Sequence, residues 1–381
     1  MKIKRLISRK ILNSRGEPTI EVEINGEYKA SAPSGASVGK YEVKAFPAKG
    51  VPVRIVNNIL AKKLIGTRVD SFESLKEVEK ILFDYDKSKD LKKIGGNTVV
   101  AIEFALLKAM SRGEIWKFLN PIADEMPMPL GNCVGGGSHF KGNAVEVQEF
   151  LLVPIAENFK EASIVNDYVY KDMGKKLNAN LKTDEGAWVT TLSVEDTLKL
   201  LHHSTIDVGK RLGIEVELGM DVAATQLLRN NLYHYRDKML AREEQIDFMN
   251  RLIKNYDISY AEDPLEEEDF DGFSQIQCEM VCGDDLICTN LDRLRRAGEN
   301  INTVIVKPNQ IGSLIKTKEL VDYCLRKGIK PVMSHRSGET NDTTISHLAV
   351  AWEMPFIKCG ISGKERVVKI NELKNIEKQI R

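Results

Sequence analysis

Five short apolar segments in the C-terminal half of this 381-residue chain each run into a polar residue fit for catalysis: Asp221, Glu262, Asp284, Lys307 and His335. Successive members stand 22 to 41 residues apart, about one strand plus one covering helix. The stems IEVEL, ISYA, MVC, TVIV and PVM are short and apolar, as strands buried on both faces are. That rhythm predicts a parallel β/α barrel. In such a barrel the residues at the carboxyl ends of the strands converge on one mouth, where barrel enzymes place their chemistry.

The length allows a full barrel and one smaller domain. Residues 3–33 alternate apolar and polar in short segments broken at Arg15-Gly16 and Asn25-Gly26, an antiparallel meander. Helical spacing of apolar residues follows near 53–65, 72–85 and 97–111. Pro121, Pro127 and Pro129 mark a boundary, so we expect an α+β domain over 1–125 and a barrel domain over 126–381. PLGNCV and VEVQEFLLVP predict two more strands after it, and the charged stretch NELKNIEKQIR predicts an amphipathic helix that closes the barrel or an interface.

The 55 basic and 55 acidic residues give a formal charge of zero, which offers no general attraction to nucleic acid or an anionic membrane. No run of about eighteen apolar residues is present to span a bilayer. A small diffusing substrate is the expected partner. The six cysteines form no CxxC pair, consistent with a reducing, cytoplasmic setting. The local cluster Cys278, Cys282 and Cys288 is read as packing rather than a zinc site, because no histidine lies nearby.

Asp221, Glu262 and Asp284 offer hard oxygen ligands of the kind that hold magnesium with positions left open. The competing reading is that each acid pairs with a barrel lysine or caps the next helix. Lys307, in a confined site facing a metal ion, would have its pKa pushed down, as a general base requires; otherwise it is a counter-ion for the acids. His335, Arg336 and Ser337 together supply an imidazole, a planar fork of donors and a hydroxyl, a cradle for phosphate or carboxylate. Lys358 adds a further positive charge, so an anionic substrate is implied. The loop Ser34-Gly35-Ala36-Ser37-Val38-Gly39 and the run Gly135-Gly136-Gly137-Ser138-His139 are permissive but weak signals alone. Glu149 and Glu185 are isolated acids for which solvent or salt-bridge roles compete.

The segments ILNSRGEPTIEVEI, APSGASVGKYE, GGSH followed by VQEF, KTDEG, LGMDVAATQ, AEDPLEEEDF, GDDLICTN, VKPNQIGS, SHRSGET and IKCG resemble those of the enolases, nearly end to end. The resemblance implies an N-terminal α+β lid domain on a modified β/α barrel that reversibly dehydrates 2-phosphoglycerate to phosphoenolpyruvate, usually as a homo-oligomer. It implies two magnesium ions per site, the first on Asp221, Glu262 and Asp284 and the second joined by Ser37 when substrate binds. It implies Lys307 as the base at carbon 2, and Glu185, with help from Glu149, as the acid side for the 3-hydroxyl. Arg336 and Ser337 match a phosphate-binding pair, Lys358 a lysine near the substrate carboxylate, and His139 and His335 the histidines lining the pocket.

The chain also departs from the enolase pattern. It is shorter; Gly135 stands where asparagine is usual; Phe140-Lys141 lengthens the interval to Glu149; Ala187-Trp188 follow the acid; Val38 replaces a loop threonine; Ile361 opens a shortened segment; and Asn375 replaces an arginine of the usual dimer contact. These changes leave open an enolase-like enzyme with a different phosphorylated hydroxy acid, and a catalytically silent protein on the same fold.

Overall fold

A computed structural model describes residues 1–36 and 38–380. The first unit is a three-stranded antiparallel sheet of Leu6–Leu12, Pro18–Ile24 and Tyr28–Ser31. The alternation seen in the sequence puts Ile20, Val22 and Ile24 on one face, all fully buried. They pack under the helix Gly96–Ser111, in which every residue from Gly96 to Leu107 is buried. A helix apolar on all sides must be wrapped by protein, and this one lies between the small sheet and the barrel. The segment expected as one helix near 53–65 is helical but widens into a π-turn over Val56–Leu60.

Eight strands close the barrel in the order Met128–Gly135, Glu149–Ile155, Glu215–Asp221, Ile258–Glu262, Met280–Gly283, Thr303–Val306, Lys330–Ser334 and Phe356–Lys358, the last pairing back to the first. The expectation of a wholly parallel barrel is corrected at one strand, because Glu149–Ile155 runs antiparallel to both neighbours. The chain before it holds one short turn, Gly137–His139, in place of a covering helix. Without a crossover helix the chain returns as a hairpin partner rather than a parallel strand. This reversal brings the first residue of the strand, Glu149, to the mouth, in register with Asp221, which is in register with Glu262.

Below that layer the barrel is filled by Leu130, Leu151, Val153, Tyr260, Met280, Cys282, Ile305 and Val332, so it is a plugged core and not a pore. Two buried acids of the first unit fix it to the barrel by capping the helix Leu314–Lys327. Glu103 Oε2 accepts from Leu314 N at 3.0 Å, and Glu79 Oε1 accepts from Ser313 Oγ at 2.5 Å and Ile315 N at 3.3 Å.

The helix Gly96–Ser111 depends on Gly95 before it, whose φ is +82°; a Cβ there would lie 2.3 Å from Ala45 O. Gly113 has a similar φ of +95° with nothing within 4 Å. Gly113→Ala should therefore cost about 1 kcal/mol from left-handed strain alone, and Gly95→Ala about 3 kcal/mol because steric overlap adds to it. Urea denaturation of both variants checks this; equal losses would contradict the packing assigned to Gly95.

Candidate active site

The strand ends meet in a narrow polar cleft lined by His139, Gln148, Glu149, Glu185, Asp221, Asp263, Asp284, Asp285, Lys307, His335, Arg336, Ser337 and Lys358, among others. Its floor is Lys358. The ammonium lies 2.9 Å from Asp221 Oδ2, 2.8 and 2.9 Å from the two oxygens of Glu262, and 3.3 Å from Glu149 Oε1. Glu262 is fully buried and also accepts from Tyr260 Oη at 2.6 Å. The second barrel lysine, Lys307, donates directly to Asp284.

The three acids read as metal ligands thus share one rim, and each is paired with a lysine, as the competing reading anticipated. Burial pulls the Lys307 pKa down, but the adjoining Asp284 carboxylate more than offsets this and holds it up; the expected depression was that of a lysine facing a metal ion. Asp284 stays low against its own burial because Lys307 and Lys358 face it. Burial and the neighbouring Asp221 push Glu262 up to about 8 despite Lys358.

The acid side is assembled from loops. Glu185 sits in the turn before Trp188–Val189 and is buried, as is Glu149. Asn132 Nδ2 donates to Glu185 Oε2 at 3.1 Å, and His139 Nε2 lies 3.8 Å from Oε1. His335 Nε2 lies 3.3 Å from Glu185 Oε2, and burial lowers the His335 pKa in spite of that carboxylate. His139 is oriented by Asp184, 2.6 Å from its Nδ1. Burial raises both glutamates, yet the two histidines hold Glu185 well below the usual carboxylate range, while burial and the Glu185 charge leave Glu149 well above it. Neighbouring carboxylates pushed in opposite directions are the arrangement from which acid and base roles are drawn.

At the anion end Arg336 forks onto Glu42, with Nη1 and Nη2 donating at 2.7 and 3.0 Å to its two oxygens. Ser337 Oγ accepts from Ala36 N at 2.6 Å and from Arg15 Nη1 at 3.3 Å. The loop from Ser34 is therefore seated on the mouth, and Ser34 and Gly338 exchange backbone hydrogen bonds at 2.8 and 2.9 Å. Ser37, assigned to this loop's metal contact, lies outside the described residues.

Four further residues at the site were not singled out from the sequence. Asp263 accepts from the backbone N–H groups of Asp284 at 3.0 Å and Asp285 at 2.7 Å. Gln148 Nε2 donates to Asp221 at 3.1 Å, and Gln310 Nε2 to Asp284 at 2.8 Å. Asp263, Asp285 and Gln148 each adjoin in sequence a residue that was singled out, and that adjacency was the available signal. Gln310, on the short helix after Lys307, had as its signal only its place in the segment VKPNQIGS.

The donor set fits a divalent cation. Oxygens of Asp263, Asp284 and Asp285 approach within 4.8 Å of one another, as do ligand atoms of His139, Glu149 and Glu185. Glu149 Oε2 is buried without a hydrogen-bond partner. Asp285 is pushed up to about 8 by burial and by Asp284. Buried carboxylates raised by mutual repulsion, with Lys307, Lys358 and Arg336 beside them, are relieved by a hard cation.

Fold and site together define a barrel enzyme that acts on an anionic substrate with a divalent metal. Residues 123–381 match the family described as "Enolase, C-terminal TIM barrel domain", and residues 3–118 match "Enolase, N-terminal domain". The chain is 42% identical to the enolase of Methanothermobacter thermautotrophicus, over 98% of this chain and 95% of that one. It is 40% identical to that of Archaeoglobus fulgidus, over 97% and 95%, and 34% identical to that of Thermoplasma acidophilum, over 98% of each. The chain belongs to the enolase family.

The departures from the family pattern are accommodated behind the cavity. None of Gly135, Phe140, Ala187, Trp188 and Ile361 stands among its lining residues. Trp188 stacks on Tyr170, ring centroids 4.9 Å apart, and donates to Tyr170 O at 2.8 Å. At Gly135 a Cβ would lie 2.7 Å from Gln148 O, so an asparagine would displace the strand that carries Glu149.

Magnesium at a hundredfold over its dissociation constant should raise stability by about 2.7 kcal/mol, and a chelator should reverse the gain. Asp284→Asn should remove most of it. Thermal melts with and without metal check this; an undiminished shift in the variant would place the ion elsewhere.

Proposed function

We infer that the chain catalyses the reversible, metal-dependent dehydration of 2-phosphoglycerate to phosphoenolpyruvate. The observation that supports this is one cleft that brings together Lys307 against Asp284, Glu185 beside His139 and His335, Glu149, and Arg336 with Ser337. The positions that depart from the family lie outside the lining, so they do not favour a different phosphorylated acid. A silent protein is not favoured either, since Lys307, Glu185 and the three carboxylates are all present.

Asp221, Glu262 and Asp284 would hold the first magnesium, and a second, with Ser37, would join with substrate. Bound there, divalent ions supply electrophilic stabilisation of the charge that builds on the substrate carboxylate. Arg336 and Ser337 hold the phosphate, and His335 and His139 border it. Lys307 is the base for the carbon-2 proton; its pKa is held up by Asp284, and a cation held by that carboxylate would weaken the pairing and lower it. Lys358, held among Glu149, Asp221 and Glu262, offsets charge on the substrate carboxylate. Glu185 and Glu149 together form the acid side: Glu149 holds the proton, which passes by way of the ionised Glu185 to the departing 3-hydroxyl. Ser34 and Ala36, seated on Gly338 and Ser337, would help exclude water from the mouth.

We further propose domains over 1–125 and 126–381, a homo-oligomer, and a cytoplasmic setting. The family relationship supports the oligomer. Six free thiols support a reducing compartment, and no helix among the described residues is long and apolar enough to cross a membrane.

Lys307→Ala should abolish exchange of the carbon-2 proton with solvent and lower turnover by on the order of 10³-fold or more. Glu185→Gln should lose dehydration to a similar degree while retaining exchange. Deuterium incorporation followed by NMR separates the two; equal loss of exchange would overturn the assignment of base and acid.

A further inference from the structure

The stretch NELKNIEKQIR, expected to close the barrel or an interface, is the end of the longer helix Lys364–Ile380, which turns two cations inward. Arg366 and Lys369 are each 1% exposed. Arg366 Nη2 donates to Ser337 O at 2.8 Å and Arg336 O at 3.3 Å. Lys369 Nζ donates to Thr340 O at 2.8 Å and Glu365 O at 2.9 Å, and lies 2.8 Å from Glu339 Oε2. Glu339 in turn accepts from Arg336 N at 3.1 Å and Thr340 N at 3.0 Å. The segment 336–340 is thus gripped from beneath through its carbonyls by the two cations, and through two of its N–H groups by a carboxylate that one of those cations holds.

Burying two cations is costly unless donors and charge are both used, and closing a barrel needs neither. A guanidinium on two successive carbonyls fixes both peptide planes. That sets the directions in which the side chains of Arg336 and Ser337 leave the backbone.

We propose that Arg366, supported by Lys369 through Glu339, is a positioning residue for the anion-binding pair Arg336–Ser337. It aims their donors into the cavity without itself touching substrate. The proposal rests on the reading of that pair as the phosphate cradle. Displacement of such a group by about 1 Å costs on the order of a hundredfold in catalysis.

The test compares full-length Arg366→Lys, Arg366→Met and Lys369→Met with the parent protein, measuring melting temperature, kcat and KM for 2-phosphoglycerate, and the dissociation constant of inorganic phosphate. Arg366→Met should raise KM and weaken phosphate binding by roughly tenfold to a hundredfold, with a smaller change in kcat. Arg366→Lys, which keeps one donor, should recover part of both, and Lys369→Met should fall between it and the parent. If Arg366→Met does not fold, Arg366→Lys decides. Lower melting temperature with KM and phosphate affinity within twofold of the parent in the folded variants would make the role purely structural and overturn the proposal. Phosphate binding is measured without turnover: an inactive parent whose phosphate affinity still depends on Arg366 would refute the proposed reaction and leave the positioning role standing.

Discussion

Lys358 on the barrel floor is the contact from which the site is built. One ammonium, within 3.3 Å of Glu149, Asp221 and Glu262, lets three buried carboxylates share a rim that would otherwise repel itself apart. It can reach all three only because the strand carrying Glu149 runs backwards. In a uniformly parallel barrel the residue at that mouth would come from the other end of the strand. The reversal follows from the missing crossover helix before Glu149, so a local feature of chain length decides the chemistry of the mouth.

The compensation is incomplete, and the remainder is functional. Lys307 and Lys358 face Glu149, Asp221, Glu262, Asp263, Asp284 and Asp285, and burial with mutual repulsion leaves Glu262 and Asp285 raised to about 8. A site poised in this way gains from a dication that an isolated pair would not need. In the proposed reaction the same pairing would let one lysine serve in two states, its pKa held up while it faces Asp284 and lower once that contact is weakened.

Much of this was legible in the sequence where the signal was local. Short apolar stems ending in Asp221, Glu262, Asp284, Lys307 and His335 located the mouth, because strand ends in a barrel obey one geometric rule. Glu149 and Glu185 escaped that rule. The first lies at the start of its strand, and the second sits in a turn whose approach to His139 and His335 depends on tertiary packing. Asp263 and Gln310 act on the backbone or side chain of another residue, a role that no spacing announces. Arg366 and Lys369 were hidden for a different reason: helical periodicity assigns charged residues to the outer face, and a cation turned inward to hold carbonyls breaks the pattern.

The central claim is that this cavity removes water from 2-phosphoglycerate with the help of a divalent metal. The most direct test is ultraviolet absorbance in the enol-phosphate band after 2-phosphoglycerate and magnesium are added to the purified protein, with a chelator control. Absorbance that rises at an enzymatic rate and stops on chelation is the predicted result. No rise, with magnesium bound and the protein folded, would contradict the reaction assigned to the site.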